Sequence, residues 1–258
     1  MDITGLQALL AGVAGGMVGF VLALVGGGGS ILAVPLLVHV VGMRQPHLAI
    51  GTSAVAVALN AAVGLIGHAR AGNVRWPCAS VFAAAGIAGA AAGAAIGKRV
   101  DGQMLLAAFA VLMLVVAVLM LRRKEATAAP AVRLSRGNAP SLAGIGGATG
   151  LASGFFGIGG GFLVMPGLVA ATGMGTLQAI GSSLVAVTAF GATTALSYAL
   201  SGLVDWTVAG LFVAGGVAGS LGGAAAARRL GGRPAILTRI FAAMLAAIAV
   251  TMLVRGLG

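Results

Sequence analysis

The chain has 258 residues, of which 60% are hydrophobic and only 7% charged, and its formal net charge is +11. A soluble domain carries about 25% charged residues, so this composition cannot cover a water-facing surface. The basic excess does not indicate nucleic acid: the Arg and Lys residues sit in short loops between apolar runs, as membrane topology signals do, and no aromatic-plus-basic surface offers bases a stacking platform.

Apolar segments are predicted over 6–25, 30–41, 48–67, 76–97 and 103–121, and again over 140–156, 161–172, 176–200, 206–227 and 234–254. Runs such as Leu105 to Leu121 hold no charge. About 20 apolar residues span a hydrocarbon core of about 30 Å as a helix. Helices are favoured because lipid offers the backbone no hydrogen-bond partner, and a membrane barrel would alternate polar and apolar residues, which Ala83 to Ile96 does not. The N-terminus, Met1-Asp2-Ile3-Thr4, lacks the basic region of a signal peptide, so the first run reads as retained. Between 122 and 138 lie Arg122, Arg123, Lys124, Arg133 and Arg136 with Pro130, the composition of a linker.

The same order of events recurs on both sides of that linker. Gly15, Gly16, Gly19, Gly26, Gly28, Gly29 and Pro35 return 131 residues later as Gly146, Gly147, Gly150, Gly157, Gly159, Gly160 and Pro166. Gly51-Thr52-Ser53 returns 130 residues later as Gly181-Ser182-Ser183, and Gly72-x-Val74-x-Trp76 as Gly202-x-Val204-x-Trp206. Gly86, Gly89, Gly93 and Arg99 match Gly216, Gly219, Gly223 and Arg229. The expectation is an all-α, polytopic helical membrane protein of two tandem homologous repeats, residues 1–121 and 139–258, joined by a basic linker at 122–138.

The basic residues discriminate between two topologies. If every Gly-rich first segment crosses fully, eight basic residues fall on one side and seven on the other. If each enters and returns on one side, the halves are inverted. Arg70, Arg75, the five linker charges, Arg228, Arg229, Arg233 and Arg239 then share a side, eleven in all, against Arg44, Lys98, Arg99 and Arg255. The positive-inside rule favours the second arrangement, and discontinuous inverted repeats are a common transporter plan.

Gly26-Gly27-Gly28-Gly29-Ser30 and its twin Gly157-Ile158-Gly159-Gly160-Gly161, each followed by proline, should break a helix. Such breaks are tolerated at membrane depth where they line a cavity or are buried in protein. Each should free backbone N–H groups at a half-helix N-terminus, so two facing ends would suit a small anion. Thr52, Ser53, Ser182 and Ser183, each pair just after a glycine, either donate to that anion or cap a helix. Asn60, Thr188, Thr193, Thr194 and Ser197 either line a polar path or bond between helices. Gly86, Gly89, Gly93 and their twins read as close-packing contacts, and Trp76 and Trp206 as interface anchors. His68, beside Arg70, reads as interfacial. No Asp or Glu lies inside an apolar run, no His/Cys/carboxylate cluster has metal-ligand spacing, no nucleotide-binding loop is present, and the single cysteine, Cys78, excludes an intrachain disulfide.

Together these motifs resemble the sulfite exporter TauE/SafE family, also called the toluene sulfonate uptake permease family. The resemblance covers nearly the whole chain and appears in both halves. It implies a bacterial inner-membrane secondary transporter of sulfur-containing anions such as sulfite, sulfoacetate or related organosulfonates, rather than an enzyme. A passive anion channel or a carboxylate transporter is the alternative. Ile158 in place of Gly27, and Gly161 in place of Ser30, depart from strict repetition. The expected partners are a small anionic substrate and membrane lipid, with a homodimer left open; no nucleic acid and no cofactor are expected.

Overall fold

The computed structural model describes residues 5–25, 27–122, 134–135, 137–230 and 234–256, with side chains described for these except 24, 25, 27, 28, 120–122, 176, 224–230, 234–242 and 255–256. Ten α-helices are found among the described residues: α1 (Gly5–Val25), α2 (Ala33–His39), α3 (Pro46–Arg70), α4 (Trp76–Gly97), α5 (Gly102–Arg122), α6 (Ala139–Phe156), α7 (Gly161–Thr172), α8 (Thr176–Ala199), α9 (Trp206–Leu230) and α10 (Pro234–Gly256). A 3-10 segment, Gly27–Leu32, precedes α2. Among the described residues six helices, α1, α3, α4, α5, α8 and α9, are long and apolar enough to cross a membrane.

Local chemistry sets the helix ends. Asp101 Oδ1 accepts from the N–H groups of Gln103 and Met104 at the start of α5, and Asp205 Oδ1 does the same for Thr207 and Val208 at the start of α9. Each carboxylate satisfies donors that the helix leaves unpaired. α3 and α8 end in the same turn. Gly72 and Gly202 adopt φ of 72° and 69°, and the next N–H in each case returns to a carbonyl five residues back, Asn73 to His68 and Leu203 to Tyr198. This is the glycine stop that frees the chain to reverse.

Glycine decides the packing. Along α1 and α9, Gly15 lies on the backbone of Phe212, Gly19 on Gly216 and Gly219 on Gly16. Along α6 and α4, Gly146 lies on Phe82, Gly150 on Gly86 and Gly154 on Ala90. At each of these positions except Gly146, an added Cβ would overlap the facing backbone, and at Gly146 it would stand 2.5 Å from the Phe82 carbonyl oxygen. This close approach is what small residues permit where burial of apolar surface drives nothing. In both pairs residue numbers rise together, so the helices run parallel.

The other two pairs run antiparallel. Gly191 of α8 packs on Ala58 of α3, while Leu184, earlier in α8, meets Gly64, later in α3. Gln103 and Leu106 near the start of α5 line one cleft with Met252 and Leu253 near the end of α10. The chain also doubles back after each Gly-rich helix. Gln7, near the start of α1, donates through Nε2 to the Val41 carbonyl beyond α2 (3.4 Å). In α7, Gly167 lies against Ile145 near the start of α6.

Candidate functional site

The second glycine break is built from three left-handed residues. Gly157 (φ 69°) ends α6, its N–H bonded to the Ser153 carbonyl at 2.9 Å. Gly159 (φ 64°) and Gly160 (φ 67°) follow, and Gly160 is the N-cap of α7. Side-chain-bearing residues enter this region at a cost of about 1–2 kcal/mol each, which accounts for the glycines. Space is the second constraint. A Cβ at Gly159 would stand 2.7 Å from Val57 Cγ1 and 3.2 Å from Val187 Cγ1. Val57 and Val187 lie midway along α3 and α8, so the break is lodged at the centre of the bundle. Gly157, Ile158, Gly159, Gly160 and Gly161 are all buried.

The first break is different. Gly26 lies outside the described residues. From Gly27 the chain forms the 3-10 segment to Leu32, and only then the seven-residue α2. The departure from strict repetition at Ile158 and Gly161 is accompanied by a difference in local helix type. The helix penalty of about 1 kcal/mol per glycine accumulates over four consecutive glycines, whereas Ile158 interrupts the second run. Gly29 and Ser30 are buried, and a Cβ at Gly29 would meet the Leu22 nitrogen at 2.5 Å.

The four matched hydroxyls are buried, but none caps its own helix, because α3 and α8 begin at Pro46 and Thr176, well before Thr52 and Ser182. That part of the capping expectation is corrected. Thr52 Oγ1 instead accepts from the Asp205 N–H (3.0 Å), and Ser182 Oγ from the Arg75 N–H (2.9 Å). Each half thereby holds the helix start of the other. Beneath them Gly51 lies on the Leu203 carbonyl, and a Cβ at Gly181 would stand 2.5 Å from the Asn73 carbonyl oxygen. Ser53 shares its hydroxyl hydrogen between the Ile50 and Gly157 carbonyls (2.8 and 3.1 Å). Ser183 donates to Ile180 (2.8 Å). Thr188 and Thr193 donate back to the carbonyls of Leu184 and Ala189 in their own helix.

Other buried side chains carry polar atoms without a partner. Asn60 is 5% exposed, and neither its Nδ2 nor its Oδ1 is bonded. It lies against Gly216 of α9. At the corresponding place in the second half, Phe190 lies against Gly86 and stacks on Phe82 at 6.2 Å. Thr194 and Ser153 are fully buried with unpartnered hydroxyls. Ser153 was not among the residues singled out from sequence. It stands 131 residues after Leu22, and the exchange of leucine for serine in an otherwise matched glycine helix was the available signal. Among the described residues no three His, Cys, Asp or Glu side chains gather as metal ligands do.

The profile described as Sulfite exporter TauE/SafE matches residues 11–252. A probable membrane transporter protein of Xylella fastidiosa (strain Temecula1) is 48% identical over 253 residues, which is 97% of this chain and 97% of the relative. A protein of the same description from strain 9a5c shows the same identity and coverage. No solved structure matches the chain. The chain belongs to the sulfite exporter TauE/SafE family and is a multi-pass membrane protein.

Proposed function

We propose that this member of the sulfite exporter TauE/SafE family is a secondary transporter of small sulfur-containing anions, sulfite or related organosulfonates, across the bacterial inner membrane. The observation that carries the reading is the break at Gly157–Gly161, held at mid-bundle and closed off from solvent. A helix N-terminus there offers partial positive charge and N–H donors without a titratable side chain. Gly29 and Ser30 of the first break, also buried, are assigned to the opposing wall. Ser53 and Ser183, with Thr52 and Ser182 behind them, hold the surrounding backbone, and Asn60 and Thr188 lie further along the same helices.

The halves are inverted repeats, residues 1–121 and 139–258, each a re-entrant hairpin followed by three crossings. The antiparallel pairing of α3 with α8 and of α5 with α10 supports this, because repeats related by an axis in the membrane plane place their equivalent helices head to tail. So does the Gln7–Val41 contact, which returns the first hairpin to its side of entry. The eleven-to-four charge split then puts the linker in the cytoplasm.

Burial of all five residues from Gly157 to Gly161 fits the occluded state of an alternating-access carrier. The test is a thermal-shift screen of purified protein against sulfite, sulfate, methanesulfonate and acetate. A true ligand at 100 times its Kd stabilises the fold by about 2.7 kcal/mol. Stabilisation by sulfite or the sulfonate supports the reading, and stabilisation by acetate alone replaces it with carboxylate transport.

A further inference from the structure

We infer that the two breaks do not share the anion equally, and that it is held at the second, between the N-terminus of α7 and the hydroxyl of Ser153. The inference rests on the transporter reading above and names the residue and the half that bind.

The backbone supplies the first argument. α7 is a 12-residue α-helix with Pro166 inside it. The N–H groups of Leu163 and Val164 return to the Gly160 carbonyl, so those of Gly161 and Phe162 lack helical acceptors and carry the positive end of the helix dipole. The first break opens into six residues of 3-10 helix and then a seven-residue helix, which aligns fewer peptide dipoles in one axis.

The side chains supply the second. Ser153 is fully buried and its Oγ has no partner. It faces Gly160, the N-cap of α7: a Cβ on Gly160 would stand 3.1 Å from that oxygen. A buried donor without an acceptor is unfavourable unless something else meets it. The nearby Thr149 hydroxyl is already given to the carbonyls of Ile145 and Gly146. The Gly157 carbonyl, which would repel an anion, is tied to Ser53. Donors therefore remain at this end of the break.

The third argument is the mirror position. Gly29 packs on the backbone of Leu22, whereas Gly160 packs on the side chain of Ser153, and a leucine side chain can donate nothing. Most of the surrounding scaffold is matched in kind, from Gly51 and Gly181 to Ser53 and Ser183, so the departure falls where a ligand would touch. The ligand chemistry is a compact oxyanion. Its oxygens accept from Ser153 and the α7 backbone, and Val57 and Val187 limit its size.

Radiolabelled sulfite uptake into proteoliposomes tests this, with the full chain as wild type, Ser153→Ala, Ser153→Thr and Leu22→Ala. Ser153→Ala should raise the KM for sulfite about tenfold or more, equivalent to about 1.4 kcal/mol per tenfold, without lowering the Tm of the ligand-free protein. Ser153→Thr, which keeps the hydroxyl, should restore the KM, and Leu22→Ala should leave it close to wild type. Should Ser153→Ala fold poorly, Ser153→Cys gives the same comparison with a weak donor. A wild-type KM in the variants lacking the hydroxyl overturns the assignment while leaving the transporter reading intact. Wild-type vesicles that take up no sulfite overturn that reading, and this inference with it.

Discussion

Ser53 donates its hydroxyl hydrogen to the carbonyl of Gly157, 3.1 Å away and 104 residues further along the chain. One side chain of the first half thus fixes the left-handed glycine at which the second half breaks. Removing that hydroxyl leaves a buried carbonyl short of a partner, at a cost of about 1–3 kcal/mol. Ser53→Ala should therefore lower the Tm of ligand-free protein in detergent and weaken sulfite binding together. A fall in affinity with no change in Tm would make Ser53 a direct ligand instead of the anchor of the break.

Gly159 cannot accept a side chain. Its φ of 64° is in the left-handed region, and its Cβ would press on Val57 and Val187. Gly159→Val should abolish transport while the protein still inserts, as followed by fluorescence-detected gel filtration of a tagged chain. Normal uptake by this variant would reduce the break to a packing feature.

The helix glycines separate into two kinds. Gly150 lies on the Gly86 backbone, whereas nothing lies within 4 Å of a Cβ at Gly144. Both are in α6. Gly150→Ala should separate α6 from α4 and cost stability in the range of about 1–3 kcal/mol seen for overpacking. Gly144→Ala should be neutral or stabilising, since alanine is the better helix former by about 1 kcal/mol. Paired melting curves decide it, and equal Tm values for the two would contradict the packing account.

Much of this was legible in the sequence. Ten apolar segments were placed, and all but one correspond to helices. The exception, 30–41, is a 3-10 segment running into a short helix, because a glycine run weakens α-helix without saying what replaces it. The glycines of α4 and α9 read as packing contacts from spacing alone, and Gly89 and Gly93 lie on the α6 backbone as Gly219 and Gly223 lie on that of α1. The hydroxyl pairs were found, but their partners were not. That Thr52 meets Asp205 and Ser182 meets Arg75 depends on the halves being interlocked, and no local pattern encodes it. Ser153 is not legible in this way, because repetition carries the signal and Ser153 is a place where repetition fails.

Asn60 carries a further test of that asymmetry. Its amide is buried, unpartnered and set where the other half has Phe190. Replacing an unsatisfied buried polar group by an apolar one of similar shape is nearly neutral or stabilising. Asn60→Leu should keep or raise the Tm while slowing sulfite uptake. Loss of stability with unchanged uptake would assign Asn60 to a structural bond.

Arg70 ends α3 and Leu200 follows the last residue of α8, 130 residues apart in matching places, and both are exposed. Single cysteines at these positions, in a background lacking Cys78, should label from opposite faces of the membrane, Arg70→Cys from the cytoplasm and Leu200→Cys from outside. Labelling of both from one face would make the halves parallel.

Counterflow in proteoliposomes bears most directly on the transporter reading. Vesicles preloaded with unlabelled sulfite and diluted into labelled sulfite should show saturable uptake that overshoots equilibrium, because a carrier returns loaded faster than empty. Uptake that is linear in concentration and indifferent to the preloaded anion would mean a conductive pore and contradict alternating access.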